Sequence, residues 1–302
     1  MTILLHDTVV CQQFSWLDAK TSFTPVPDTK LELLIRNHFP WGQTGFAARP
    51  ADASPGALAA SVHDWMSRQL ADLGFENTAL ALHARIQSVI DEVEQALPPS
   101  EKHRLFYRSD LGHLVKSSES ILDKMVRDWN PENGRPRLSF DNFLDEMEDL
   151  ARFRIVLNFL SDVKAVCSRL EEPYNCSPEE LARLSDAQHA LYGDFALRGH
   201  RMRDLILLGP EKRDSGERCF KGIFYRRANT RMRVEVQIQT MFQEAWDKKD
   251  HFLMYEPKRR GEAVELSHRI EIYAISELLY VADLTFDRLL SILRERRARG
   301  AE

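Results

Sequence analysis

Cysteine is scarce in this chain, and its few positions form no pattern. Cys11, Cys167, Cys176 and Cys219 match no metal-ligand spacing and supply no disulfide framework for 302 residues, so they read as free thiols. No apolar run approaches the roughly 20 residues that a membrane-spanning helix needs. That excludes an integral membrane class and leaves no membrane among the expected partners. The opening Met1-Thr2-Ile3-Leu4-Leu5-His6-Asp7 has too short an apolar stretch and no basic leader for a secretory signal, so cytoplasmic residence is the expectation. No internal repeat is apparent.

A global excess of positive charge is also missing. The formal net charge of -5 argues against a surface coated in phosphate-binding residues. The distribution is nevertheless uneven: Arg198, His200, Arg201, Arg203, Lys212, Arg213, Arg218, Lys221, Arg226, Arg227, Arg231 and Arg233 crowd together, whereas acids dominate 141–149 and 171–180. A basic surface within an acidic protein suits a polyanion bound at one place, although a solvated basic face has the same composition. With 43% hydrophobic and 29% charged residues the chain is of the soluble globular class, long enough for one large domain or two smaller ones.

Residues 1–45 are rich in aromatics (Phe14, Trp16, Phe23, Phe39, Trp41) punctuated by Pro25 and Pro27, which predicts a packed but irregular segment. Ala47 to Ser61, with Pro50, Pro55 and Gly56, reads as a linker. Helical patterns follow over 58–73 and 76–96, the second through Ala79, Leu82, Ile86, Ile90, Val93 and Leu97. A third helix is expected from near Ser117 to Trp129, ended by Asn130-Pro131-Glu132-Asn133-Gly134. Ser139 is placed to cap a further helix through about Leu150.

Phe153 to Phe159 then reads as a first strand and Asp162 to Leu170 as the helix that crosses back. Ser177-Pro178-Glu179-Glu180 has a serine cap, proline in the first turn and acids at the positive end of the dipole, the marks of a helix start. Leu205–Leu208, Gly222–Arg227 and Met232–Gln239 complete the sheet. The tail Glu262–Arg299 repeats Ile270, Tyr273, Ala274, Leu278, Val281, Leu284 and Leu289 at helical intervals, a face expected to pack on the domain or on another subunit. The fold class is therefore α+β: a mixed β-sheet of about five strands flanked by helices, with helical N- and C-terminal extensions. The expected division is 1–60 irregular segment and linker, 61–104 helical scaffold, 105–260 the chemical domain and 261–302 a C-terminal helix.

The most informative stretch is Glu235-Val236-Gln237-Ile238-Gln239-Thr240, followed by Trp246, Asp250-His251 and Tyr255. Val234, Val236 and Ile238 alternate with Glu235, Gln237 and Gln239, so a strand here buries one face and presents polar groups on the other. Any half-exposed strand shows such alternation. Asp149, however, lies just before the first strand. If the two strands are neighbours, Asp149 and Glu235 converge at one edge of the sheet, as a magnesium ion bridging nucleotide phosphates requires. Alone, Asp149 reads equally as a helix C-terminal acid tied to Arg152 or Lys164.

Four motifs in order, His113-Leu114-Val115-Lys116-Ser117-Ser118-Glu119-Ser120-Ile121-Leu122-Asp123-Lys124, Asp149-Leu150-Ala151-Arg152-Phe153-Arg154, Arg201-Met202-Arg203-Asp204 and Glu235 to Thr240 with Trp246 and His251, resemble the RelA/SpoT-type synthetase domain over about 105–260. The resemblance implies a nucleotidyltransferase-like synthetase fold and a Mg²⁺-dependent pyrophosphokinase. Such an enzyme moves a pyrophosphoryl group from ATP to the 3′ hydroxyl of GDP or GTP and makes the alarmones (p)ppGpp.

By position, the resemblance gives Lys116, Ser120 and Lys124 to the donor's phosphates; on a helix their spacing sets them on one face. Arg154 and Arg201 match arginines around the donor nucleotide, and Arg203 a basic position beside the phosphates. Asp149 and Glu235 match the metal-binding acids, with Glu235 also the general base and Gln237 orienting the acceptor hydroxyl. No hydrolase-type metal motif is found.

The acceptor side departs from the family pattern. The Gly-Tyr-x-Ser-x-His window reads Cys219-Phe220-Lys221-Gly222-Ile223-Phe224: Phe220 still offers a ring for base stacking, while Phe224 replaces the histidine. Leu114 stands where an arginine is usual, Arg152 replaces a small residue and Gln239 an arginine. The implied alternatives are a toxin that pyrophosphorylates the tRNA 3′ end or makes adenosine alarmones, held by an antitoxin, and a non-catalytic nucleotide-binding module. An RNA end would suit Phe220 with Lys212, Arg213, Arg226 and Arg227. A homo-oligomer through the C-terminal helix is the remaining expected partner.

Overall fold

The structure, a computed structural model, describes residues 28–174, 177–186, 188–189, 193–198, 202–206 and 216–300. Cys11, Cys176, the aromatics Phe14, Trp16 and Phe23, and Lys212 and Arg213 lie outside the described residues. Three helices come first: α1 (Asp28–His38), α2 (Pro55–Leu73) and α3 (Phe75–Gln95). Ser54 caps α2 by accepting from the Ala57 amide, Pro55 needs no donor in the first turn, and Gly74 ends the helix at φ 73°, a left-handed conformation that glycine adopts without a Cβ penalty. The chain thus turns directly into α3. There Phe75, Ala79, Leu82, Ile86 and Ile90 form a fully buried stripe at helical spacing. The expected linker is shorter than its composition suggested, and part of the supposedly irregular segment is α1.

The sheet holds β1 (Phe106–Asp110), β2 (Ala151–Leu157), β3 (Phe195–Leu197), β4 (Arg203–Asp204), β5 (Phe220–Arg226) and β6 (Asn229–Thr240). Its order is β1-β2-β6-β5-β3, with β4 also on β5. β2 and β6 run parallel and the remaining pairs antiparallel, so the sheet is mixed, as expected. α4 (Ser118–Asp128) precedes β2, and α5 (Leu160–Tyr174) follows it. α3 and α5 cover one face of the sheet, where Phe153, Ile155, Val236 and Ile238 are buried at 2% exposure or less.

Several local expectations fail for identifiable reasons. Ser139 does not cap a long helix: its amide takes the Asn142 side chain, and only Phe143–Glu146 makes a helical turn. Asp149 consequently lies in irregular chain between that turn and β2. Ser177 and Glu180 do close a capping box, yet the helix stops at Leu181; a good start without a buried apolar stripe does not propagate. In place of a 205–208 strand, Arg203–Asp204 pair with β5 and the chain turns at Leu205–Ile206, with 207–208 outside the described residues. β1 and β3 have no strong alternation to announce them.

After β6 come α6 (Met241–Asp250), started by a Thr240–Gln243 capping box, and α7 (Leu266–Gly300). The tail is helical as expected, but its apolar stripe faces outward. Ile270, Leu278 and Val281 are 60%, 69% and 57% exposed. Its inner face docks through Ile272, Ser276, Asp283 and Leu290. The Trp246 indole donates to the Ile272 carbonyl at 2.9 Å, Asp283 accepts from Thr240 Oγ1 at 2.6 Å and Gln243 Nε2 at 3.1 Å, and Arg294 pairs with Glu101. No described helix is long and apolar enough to cross a membrane.

Candidate active site

Register decides which side chains share the uncovered face of the sheet. Arg152 pairs with Glu235 and Arg154 with Gln237 across β2 and β6. Lys221 pairs with Gln237, Ile223 with Glu235, and Arg203 with Lys221 across β5 and β4. Directly opposed residues project to the same side, so one row reads Arg154, Gln237, Lys221, Arg203 and the next Arg152, Glu235, Ile223. Above them opens a cleft of about 570 Å³. α4 supplies Ser120, Asp123 and Arg127 to its walls, α6 supplies Trp246, Asp247 and Asp250, and Arg269 and Ile272 come from α7.

The expected convergence of acids is present: Asp149 and Glu235 line this one cleft. Asp149 is not tied to Arg152 or Lys164. It accepts from Lys116 and, at 3.3 Å, from Lys124. Burial raises its pKa, but the two ammonium groups outweigh that and hold the carboxyl below its usual range. Lys116 titrates below an ordinary lysine because it is buried and sits beside Lys124 and Arg152, against the pull of Asp149. Lys116 itself precedes the helix: its amide donates to Leu150, and Ser117 caps α4 by accepting from the Ser120 amide. The expected single helix face holds for Ser120 and Lys124, four apart on α4, whereas Lys116 lies before the helix and joins Lys124 at Asp149 through the bridge to β2.

Glu235 accepts from Gln237 Nε2 at 2.7 Å, and Gln237 Oε1 accepts from Arg154 Nε at 2.7 Å. Arg154 is also paired with Asp247 at 2.6 Å. This chain fixes the amide orientation, since its oxygen faces a donor and its nitrogen an acceptor. Lys221 pairs with Glu217 at 2.9 Å. Burial lowers its pKa, yet Glu235 and Glu217 more than compensate and keep it above the lysine range. Asp250 is pushed up to about 6 by burial and then by Asp247 and Glu217. The donor set of Asp149 and Glu235 is oxygen only, which fits a hard cation such as Mg²⁺, whose remaining positions are ordinarily filled by water and phosphate. Among the described residues no cluster of three or more metal-ligating side chains forms a closed site.

Arg203 lies on the cleft side of the sheet by register; Arg201 is outside the described residues. Phe220 is not on the cleft side. It pairs with Ile238, is 7% exposed and belongs to the hydrophobic core, as does Phe224. A one-residue parity difference separates them from Glu235, and Lys221 takes the cleft position. Rings on the cleft come instead from Trp246, His251 and Tyr255, with His251 and Tyr255 in tilted contact at 4.9 Å and Arg127 donating to the Tyr255 hydroxyl. Lys221, Glu217 and Asp247 are the site residues that sequence reasoning passed over. The alternation of β5, read against that of β6, carried the signal for Lys221.

Residues 113–260 match the family described as the region found in RelA / SpoT proteins. No curated protein matches the chain. Among solved structures, a GTP pyrophosphokinase family protein from Streptococcus pneumoniae is similar at 17% identity and TM-score 0.54, over 77% of this chain and 96% of that one. Small alarmone synthetase 1 from Bacillus subtilis, bound to its product pppGpp, is similar at 18% identity and TM-score 0.52, over 77% and 99%. At these identities the likeness establishes the fold.

Proposed function

Residues 113–260 of this chain are a RelA/SpoT region, and on that premise we propose that the cleft transfers the pyrophosphoryl group of ATP to the 3′ hydroxyl of an acceptor nucleotide, guanosine nucleotides first among them. The observation that carries the proposal is the presence of Asp149 and Glu235, 86 positions apart by their numbers, in one cleft through the parallel pairing of β2 and β6. The synthetase domain is read as 105–260, with 61–104 as its scaffold.

In the reaction, the acceptor 3′ oxygen bonds to the β-phosphorus, the α-to-β phosphoanhydride bond breaks, and AMP leaves. Phosphoryl chemistry of this kind asks for positioning and charge neutralisation more than covalent participation. Lys116, Ser120 and Lys124 meet the donor's phosphates, with Arg154, Arg201 and Arg203 around the nucleotide. Glu235 takes the acceptor proton at a carboxylate oxygen. Gln237, locked between Arg154 and Glu235, keeps that carboxylate aimed. A magnesium ion held by Asp149 and Glu235 would neutralise phosphate charge when bound.

The test is acceptor-dependent conversion of ATP to AMP by the purified chain with Mg²⁺. The proposal expects AMP and a pyrophosphorylated acceptor, both lost in Glu235→Ala. ATP left intact with every acceptor, or turnover unaffected by Glu235→Ala, would reject it.

A further inference from the structure

Arg152, like Lys221, is a basic residue of the cleft floor that the reaction above leaves unused. It replaces the small residue usual in the motif it resembles. It is exposed, lines the cleft and stands beside Glu235 in the β2–β6 register. Other cations of the floor and walls are committed. Lys116 holds Asp149 together with Lys124 from outside the lining, Arg154 holds Asp247, Lys221 holds Glu217, and Arg127 is shared between Asp123 and Tyr255.

Among the described residues, the Arg152 guanidinium makes no hydrogen bond or ion pair, and the side chains of Lys258 and Arg269, which line the same cleft, make none either. Like charges gathered around a common space repel one another. Such a set is favourable when an anion occupies the middle.

We propose that Arg152, Lys258 and Arg269 form a second anion subsite of the cleft, on its Arg152 side next to Lys116, and that it holds the phosphate chain of a nucleoside polyphosphate acceptor. Naming that anion as the acceptor's rests on the function proposed above. A compact, several-fold charged terminal polyphosphate matches cations that line one small cleft, whereas an RNA backbone asks for a stripe of them. A cleft of about 570 Å³ is also of small-molecule size. On this account Arg152 supplies the phosphate grip that the family places on a histidine and that Phe224, buried in the core, does not offer.

The test is calorimetric titration of inorganic tripolyphosphate into the full chain, first alone and then saturated with a non-hydrolysable ATP analogue. The loaded protein is expected to bind a further equivalent. Its affinity should fall about tenfold or more in Arg152→Ala, the scale of losing one charge-assisted contact, and recover in part in Arg152→Lys. Analogue affinity should fall by clearly less than tripolyphosphate affinity. Arg152 is exposed, so the substitution leaves the core intact.

Displacement of the analogue with no further equivalent bound, or an Arg152→Ala titration identical to wild type, overturns the subsite. An RNA 3′-end oligonucleotide that binds through Arg152 while tripolyphosphate fails to compete overturns the nucleotide assignment. Should the analogue not bind at all, the donor reading fails, and the titration of the unloaded chain still decides whether Arg152 holds an anion.

Discussion

Lys116 is ion-paired to Asp149 across the join where the segment entering α4 meets the residues entering β2. Their side chains are 14% and 23% exposed, so each protects the other's charge from an uncompensated partly buried position. Removing the acid strands two ammonium groups. Asp149→Ala is expected to cost about 1–3 kcal/mol of stability and to reduce pyrophosphoryl transfer by about 10² or more. Urea denaturation and an ATP turnover assay read the two effects separately. Full turnover in Asp149→Ala would remove this residue from the mechanism.

Phe220 gives the sharpest contrast between motif and fold. Since its ring is in the core opposite Glu235, Phe220→Ala should destabilise by about 3–4 kcal/mol through the cavity it leaves. Phe220→Leu should cost less and leave acceptor KM within about twofold. A large KM increase in a well-folded Phe220→Leu protein would return the ring to the acceptor site.

Gly216 ties the cleft to α7. It has φ +62°, and a Cβ there would lie 2.6 Å from Trp246 Cζ2, while its carbonyl accepts from Ser276 Oγ at 2.5 Å. Gly216→Ala therefore meets both backbone strain and an indole anchored to Ile272, and should cost about 2 kcal/mol or more. Because Glu217 follows directly, turnover should fall with stability. Thermal unfolding at fixed protein concentration measures the first part.

The pH dependence of stability follows from Asp283 and Glu101. Burial pushes the Asp283 carboxyl up to about 6, with Asp287 adding to it and the Thr240 hydroxyl opposing. The native state then binds more protons than the unfolded chain between about pH 4 and 6, so stability decreases as pH rises through that window. Glu101 is held down to about 2, first by the Arg294 hydrogen bond. Its contribution is present above the ordinary carboxylate range and is lost as pH falls below about 4.5. Wild type should gain stability over Asp283→Asn on going from pH 7 to pH 5 by about 1 kcal/mol in denaturant titrations, the share of this one carboxyl. An unchanged slope in Asp283→Asn would refute the assignment.

Much of this was written in patterns short enough to read from the chain. Val234, Val236 and Ile238 against Glu235 and Gln237 fixed the faces of β6, and α3 announced itself through Ala79, Leu82 and Ile86. The pairing partner of β6 was beyond periodicity, because parallel neighbours are chosen by tertiary packing. The parity of Phe220 escaped for a related reason: motif spacing fixes positions along a strand, but a strand face is set by register with its neighbour. Caps misled for different reasons: after Ser139 the residues Phe143, Met147 and Leu150 are buried without a continuous helix, and after Ser177 no buried stripe follows. In α7 the apolar stripe suggested the packing face, whereas polar latches through Asp283 and Arg294 took it.

The central claim is that Asp149 and Glu235 serve one transfer event, and product analysis tests it most directly. Incubation with ATP carrying label in its β and γ phosphates, Mg²⁺ and a panel of GDP, GTP, ADP, ATP and bulk tRNA, followed by mass spectrometry, reads both donor and acceptor. The account predicts both labelled phosphates on the 3′ position of one acceptor with AMP as co-product, absent in Asp149→Ala and in Glu235→Ala. Label recovered only in untouched ATP, or released as inorganic phosphate with ADP, would contradict it.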